Sequence, residues 1–261
     1  GAPFHPVLLR NLSGIRLSVI PSKEESALAV EPGQDLPLET RSTKDRRKRF
    51  SLSLRFEGYT QQQSISYEKL KSLDLTLSPV NDEDDPAVFM ISVTLQEGSK
   101  VITVSSPVVV ENKTSLPMIF RVQRGQSVMF TSGPLEVGRQ AGVPPGLLRE
   151  RWNATLSAKL LVDGSTWALL PIELSRRPSS NRIIPIKSDT HALNARVTVS
   201  SAHRGSVCRF HVISMHPPLM IENLLPDTAR FEAIASGKSC CQGSLERGES
   251  IALYSVEYQQ T

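Results

Sequence analysis

The chain has 261 residues, a formal net charge of +4 and three cysteines, Cys208, Cys240 and Cys241. That length accommodates two ordinary domains, and the mild positive balance permits an anionic partner without requiring one. An odd cysteine count with an adjacent pair is no disulfide framework and points to a reducing compartment; no apolar run reaches membrane-spanning length and no signal peptide opens the chain.

Most apolar segments are short, rich in Val, Ile, Leu and Phe, and bounded by Gly, Pro, Ser or Asn, which predicts strands and an all-β chain. Val7 to Asn11 opens the first strand, with Ile15 to Ile20 as its neighbour. Leu36-Pro37-Leu38 is predicted as an edge piece, since proline cannot donate to a central ladder. Arg41 to Arg49 carries six cations and one acid. It is a solvated loop or, read more sharply, a contact for an anionic surface through Arg46, Arg47, Lys48 and Arg49. Without interleaved aromatic residues it has no platform for stacked bases, so nucleic acid is set aside.

Phe50 to Phe56 alternates strictly between apolar and polar residues and predicts a half-buried strand. Ser64 to Tyr67 and Leu73 to Leu77 alternate in the same way. Asn81 to Asp85 is acidic but lacks the central Gly and distal Glu of a calcium hand, so a solvated turn is expected. Val88 to Leu95 and Val101 to Val104 flank a hairpin turn at 96–100. Later strands are expected at Val128 to Phe130, Trp167 to Ile172, Ala195 to Ser200 and Val207 to Ser214, with Trp152 and Trp167 as core anchors. Only residues 146–161 allow a short helix.

An internal repeat overrides this list of strands. Pro6-Val7-Leu8-Leu9-Arg10-Asn11 returns as Pro107-Val108-Val109-Val110-Glu111-Asn112 and as Pro218-Leu219-Met220-Ile221-Glu222-Asn223. The asparagines stand 101 and 111 residues apart. A second segment follows each, aligned as Ile15-Arg16-Leu17, Phe120-Arg121-Val122 and Phe231-Glu232-Ala233. A third landmark is Glu31-Pro32-Gly33, Glu136-Val137-Gly138 and Glu246-Arg247-Gly248, its glycine 22, 26 and 25 residues after the Asn. Insertions in loops produce such drift. The repeats divide the chain into 1–106, 107–216 and 217–261, the last expected to be the start of a copy cut from a longer array.

Asn11-Leu12-Ser13, Asn112-Lys113-Thr114 and Asn153-Ala154-Thr155 are glycosylation sequons. The third copy, Asn223-Leu224-Leu225, is not one, so the asparagine is the repeated feature and the sequon incidental. An asparagine between a strand and a turn bonds nearby backbone; the alternative is that it shapes a groove for a partner.

Catalytic and metal signatures are absent. His191, His203, His211, His216 and Cys208 cluster late, but their spacing matches no zinc motif. No nucleophile elbow, phosphate loop or dinucleotide fingerprint occurs, and no acid pair recurs across the copies. The residues therefore predict no enzyme and no cofactor.

The repeated strand, the Glu-x-Gly landmark and the period of roughly 100 residues resemble the adaptor-binding (VAB) repeats of the vacuolar protein sorting 13 family. The resemblance covers the whole chain. It implies tandem antiparallel β-sandwich-like modules in a bridge-like lipid-transfer protein, cytoplasmic and peripheral at organelle membranes and contact sites. The partners it implies are organelle adaptors carrying short Pro-x-Pro motifs. The family's characteristic Asn carries over to Asn11, Asn112 and Asn223 as partner-binding positions. The Arg41 to Arg49 loop departs from the pattern, and an architectural spacer or an anionic-membrane-surface module are the other readings.

Overall fold

The structure is a computed structural model describing residues 7–21, 27–38, 51–81, 85–147, 154–173, 181–187, 192–203, 209–235 and 238–254. It is all-β, built of small sheets stacked in sandwich-like modules. The basic run with Arg46, Arg47, Lys48 and Arg49 lies outside the described residues, as do Trp152, Asn153, His191, Cys208 and much of the acidic loop.

The first module packs two sheets face to face. One has the order β4-β1-β9-β8-β7, formed by Asp35–Leu38, Val7–Leu12, Ser99–Ser105, Ala87–Gln96 and Lys71–Leu77. The other has the order β3-β2-β5-β6, formed by Leu28–Val30, Leu17–Pro21, Ser51–Phe56 and Gln62–Ser66. Alternation puts Leu52, Leu54 and Phe56 of β5 inward and leaves Arg55 in water, as a half-buried strand requires. They meet Leu9, Phe89, Ile91 and Ile102 of the facing sheet in one core. Phe56 and Phe89 lie 4.8 Å apart, and the edge of Tyr59 meets Phe89 at 5.3 Å.

Pro37 sits in β4, at the sheet's edge, where its missing N–H costs no ladder bond. β8 and β9 are joined through Glu97 and Gly98, with φ of 49° and 80°. Two successive positive φ angles are what a type I′ hairpin needs, and Gly98 meets that demand without strain. The closing strand β9 then runs parallel to β1, an exception to the antiparallel pairing elsewhere in this sheet.

The second copy repeats the plan. One sheet has the order β12-β11-β14-β15, formed by Ser127–Thr131, Met118–Arg124, Thr155–Leu160 and Ala168–Glu173. Another has the order β13-β10-β18-β17-β16, from Gln140–Gly142, Val108–Asn112, Arg209–His216, Ala192–His203 and Asn181–Lys187. Met118, Phe120, Val122, Leu156 and Leu160 are fully buried. In the third copy β19, Leu219–Glu222, pairs with β22, Ser250–Leu253, and β20, Ala229–Ala235, forms a hairpin with β21, Lys238–Leu245.

Contacts group the chain into two compact units. One holds residues 1–110, 140–152 and 201–212, the other 111–139, 153–200 and 213–261.

Two sequence expectations are corrected. The stretch allowed as a helix has one 3-10 turn at Pro145–Leu147 and then the strand β14. Tertiary pairing decides this: β14 zips antiparallel against β11, from Met118↔Leu160 to Gln123↔Thr155, and buries Leu156, Ala158 and Leu160 on one face. The second repeated segment also takes a different register in the first copy. β2, β11 and β20 begin at Leu17, Met118 and Ala229, each six residues after its Asn. The counterpart of Phe120 and Phe231 is therefore Val19, not Ile15.

Candidate functional site

Each repeated asparagine stands within one residue of the end of the opening strand of its copy and is buried: Asn11 and Asn112 are 0% exposed and Asn223 3%. Its backbone first joins the distant glycine landmark. The Asn11 N–H donates to Gln34 O at 2.9 Å, and its carbonyl accepts from the Gly33 N–H at 2.7 Å. Asn112 does the same with Arg139 and Gly138, at 2.9 and 2.7 Å, and Asn223 with Glu249 and Gly248, at 2.9 and 2.8 Å. The two landmarks seen in sequence are thus hydrogen-bonded neighbours.

The landmark is a four-residue turn. Gln34, Arg139 and Glu249 donate back to Glu31, Glu136 and Glu246 at 3.1, 3.0 and 3.0 Å. The glycine at its third position has φ of 81°, 75° or 76°. A type II turn demands this, and it explains the glycine in each copy.

The side-chain amide ties a second knot. In the first copy Asn11 Nδ2 donates to Ile15 O at 2.8 Å and Val30 O at 2.9 Å, while Oδ1 accepts from Ser13 N–H at 3.0 Å and Ser13 Oγ at 2.6 Å. In the second, Asn112 Nδ2 donates to Leu116 O and Leu135 O, both at 2.8 Å, and Oδ1 accepts from Thr114 N–H and Oγ1 at 3.0 and 2.7 Å. In the third, Asn223 Nδ2 reaches Asp227 O and Leu245 O at 2.8 Å each, and Oδ1 accepts from Leu225 N–H at 3.0 Å. Only an amide brings two donors and an acceptor to one point; aspartate would set its oxygens against the two carbonyls.

This geometry accounts for the sequons. The single O–H of Ser13 or Thr114 is shared between the buried amide oxygen and the carbonyl of Ile15 or Leu116, at 3.0 and 2.7 Å from the latter. Leu225 has no hydroxyl, so the third copy keeps the knot but not the sequon. The side chains of Asn11 and Asn112 are spent on the fold, and any influence on a partner passes through the loops they position.

Charged neighbours of the asparagine also serve the sheets. Arg10 grips Asp35 across β1 and β4 with two bonds, at 3.0 and 3.1 Å. At the matching position Glu111 accepts from Ser214 at 2.6 Å and pairs with Lys113 at 3.0 Å. His216 stands by this group, 3.0 Å from Thr198 Oγ1. Burial, followed by the cations Arg196 and Lys113, pushes its imidazole below the ordinary value, against a smaller pull from Glu111. Among the described residues no group of three potential metal ligands comes together.

A feature that sequence reasoning missed lies on the outward face of the β12-β11-β14-β15 sheet. Trp167 is not a core anchor. Phe120 and Val122 point inward, so Arg121 between them points out, and its guanidinium lies 4.2 Å from the centre of the Trp167 ring. Arg121 Nε is buried without a hydrogen-bond partner. Across the sheet, Arg121 stands opposite Ser157 and Ser157 opposite Leu169, which is 60% exposed.

The family model described as "Vacuolar-sorting associated protein 13, adaptor binding domain" matches residues 34–261. The chain belongs to this family. No curated protein matches it in sequence. The adaptor-binding domain is an interaction module, and the threefold asparagine knot is the framework on which its copies are built. No described helix is long and apolar enough to cross a membrane.

Proposed function

We propose that this adaptor-binding domain is a non-catalytic receptor for short Pro-x-Pro-type motifs of organelle adaptors, and that it recruits a bridge-like lipid-transfer protein from the cytoplasm to membrane contact sites. The observation that carries the proposal is the family match over residues 34–261. The functional units are the three repeats, 1–106, 107–216 and 217–261, each opened by one knot. Asn11, Asn112 and Asn223 act on binding by fixing the strand-to-turn junctions that wall a groove. A proline-rich segment is extended before it binds, loses little entropy on docking, and suits a strand edge or an apolar groove.

The test is a titration of the chain with a fluorescent Pro-x-Pro peptide, beside Asn112→Ala and Asn223→Ala, with melting temperatures for all three. Saturable binding by the parent, weakened in a variant that is still folded at the assay temperature, supports the reading and points to that repeat. A parent that binds no such peptide overturns it for this chain and leaves an architectural role.

A further inference from the structure

The outward face of the β12-β11-β14-β15 sheet gathers chemistry that the asparagine knots do not use. Strand alternation places Arg121 and Gln123 outward on β11 and Lys159 outward on β14, opposite Ile119. Ser157 beneath them is buried and donates to Gln123 Oε1 at 3.0 Å. Trp167 lies over Arg121 and is itself partly exposed. Leu169 continues the row on β15.

A lone exposed leucine, or an arginine resting on a tryptophan, is ordinary surface. Three further points set this face apart. Arg121 Nε is withdrawn from water yet bonds nothing, and a buried donor without an acceptor is costly. Arg121 and Lys159 have no carboxylate partner among the described residues. The guanidinium over the Trp167 ring carries a planar fork of N–H groups, the donor set that takes a carboxylate or a peptide carbonyl. What the guanidinium end of Arg121 and Lys159 lack is an acceptor, preferably anionic, beside a flat apolar group that fits against an indole and an aliphatic side chain.

We propose that this face, centred on Arg121, Trp167, Lys159 and Leu169, is the docking platform for an acidic, proline-containing peptide. The carboxylate engages Arg121 and Lys159, and the pyrrolidine ring lies against Trp167 and Leu169. The proposal rests on the adaptor-peptide reading and adds to it a location and a charge requirement. Proline is favoured as the apolar component because its flat, rigid ring covers an aromatic surface with little entropy lost.

The experiment uses the whole chain and two fluorescent Pro-x-Pro peptides, one flanked by aspartate and glutamate, the other by asparagine and glutamine. The parent is expected to bind the acidic peptide about tenfold more tightly than the neutral one, a difference that shrinks with added salt. Arg121→Gln should bring the acidic peptide to the level of the neutral one. Leu169→Asp, at an exposed position, should weaken both peptides and the acidic one more, and it serves where Arg121→Gln lowers the melting temperature. If both peptides bind the parent equally, or the acidic preference survives these substitutions, the platform is wrong while adaptor-peptide binding stands. If neither peptide binds, the adaptor-peptide reading of this chain fails and the platform with it.

Discussion

Gly138 donates its backbone N–H to the carbonyl of Asn112 at 2.7 Å, and Arg139 accepts from the Asn112 N–H at 2.9 Å. This exchange holds a tight turn against the end of a strand, and the Asn112 side chain then fastens Leu116 and Leu135 to the same point. Asn112→Ala leaves the Thr114 N–H without its partner in a buried place and takes one of two donors from each carbonyl, Leu116 keeping the Thr114 hydroxyl and Leu135 the Met118 N–H. A buried group left unpaired costs about 1–3 kcal/mol and the two weakened carbonyls add to it, so a loss of about 2 kcal/mol is expected. Asn112→Asp should be no better, because it keeps the acceptor and removes both donors. Chemical denaturation of the variants measures this, and an aspartate variant as stable as the parent would show that the donors contribute little.

Two glycines separate backbone strain from crowding. Gly138 has φ of 75° and open space where a Cβ would stand. Gly138→Ala therefore pays only for the left-handed backbone, about 1 kcal/mol. A Cβ on Gly142 would stand 1.9 Å from the Leu12 carbonyl oxygen, and main chain cannot swing aside as a side chain can. Gly142→Ala should cost on the order of 3 kcal/mol, as strong overpacking does. Melting temperatures should fall further for Gly142→Ala than for Gly138→Ala; the reverse order would contradict the close approach of β13 to the end of β1.

The third knot lacks the hydroxyl that the other two possess. Leu225 is 60% exposed, and its N–H already occupies the position held by those of Ser13 and Thr114. Leu225→Thr should add one O–H donor shared between Asn223 Oδ1 and the Asp227 carbonyl, with little apolar burial given up. A net intramolecular hydrogen bond is worth about 1 kcal/mol, so a gain of that order is expected. A rise in melting temperature is the readout. An unchanged or lower value would mean that the third turn does not adopt the geometry of the other two.

Much of this fold was legible because its signals are local. The alternation at 51–56, the edge proline at Pro37 and the hairpin after Gln96 each depend on a few consecutive residues. The Asn and Gly landmarks were also visible, but their bond was not, since it joins residues more than twenty positions apart across loops of variable length. The first copy shows the same limit. Ile15-Arg16-Leu17 looks like Phe120-Arg121-Val122, yet the bonds from Asn11 to Ile15 and from Asn112 to Leu116 fix a different register. At 155–160 the residue types suited a helix, and only the edge of β11 waiting to be paired made them a strand. The size of Trp167 predicts burial, whereas its contact with Arg121 is a relation between segments distant in sequence.

His216 gives the fold a pH dependence whose direction is fixed by its surroundings. Burial first, then Arg196 and Lys113, hold its imidazole below the ordinary 6.5, with Glu111 opposing them. The folded protein therefore takes up this proton at lower pH than the unfolded chain does. Stability associated with the neutral ring is fully present above 6.5 and is lost as pH falls through the lowered folded value. The melting temperature should decline between about pH 7 and about pH 5, the range in which histidine titrates. His216→Gln keeps a polar group within reach of Thr198 and has nothing to titrate, so its decline over the same range should be shallower. Parallel curves for parent and variant would assign the acid sensitivity to other groups and leave His216 as a packing residue of β18.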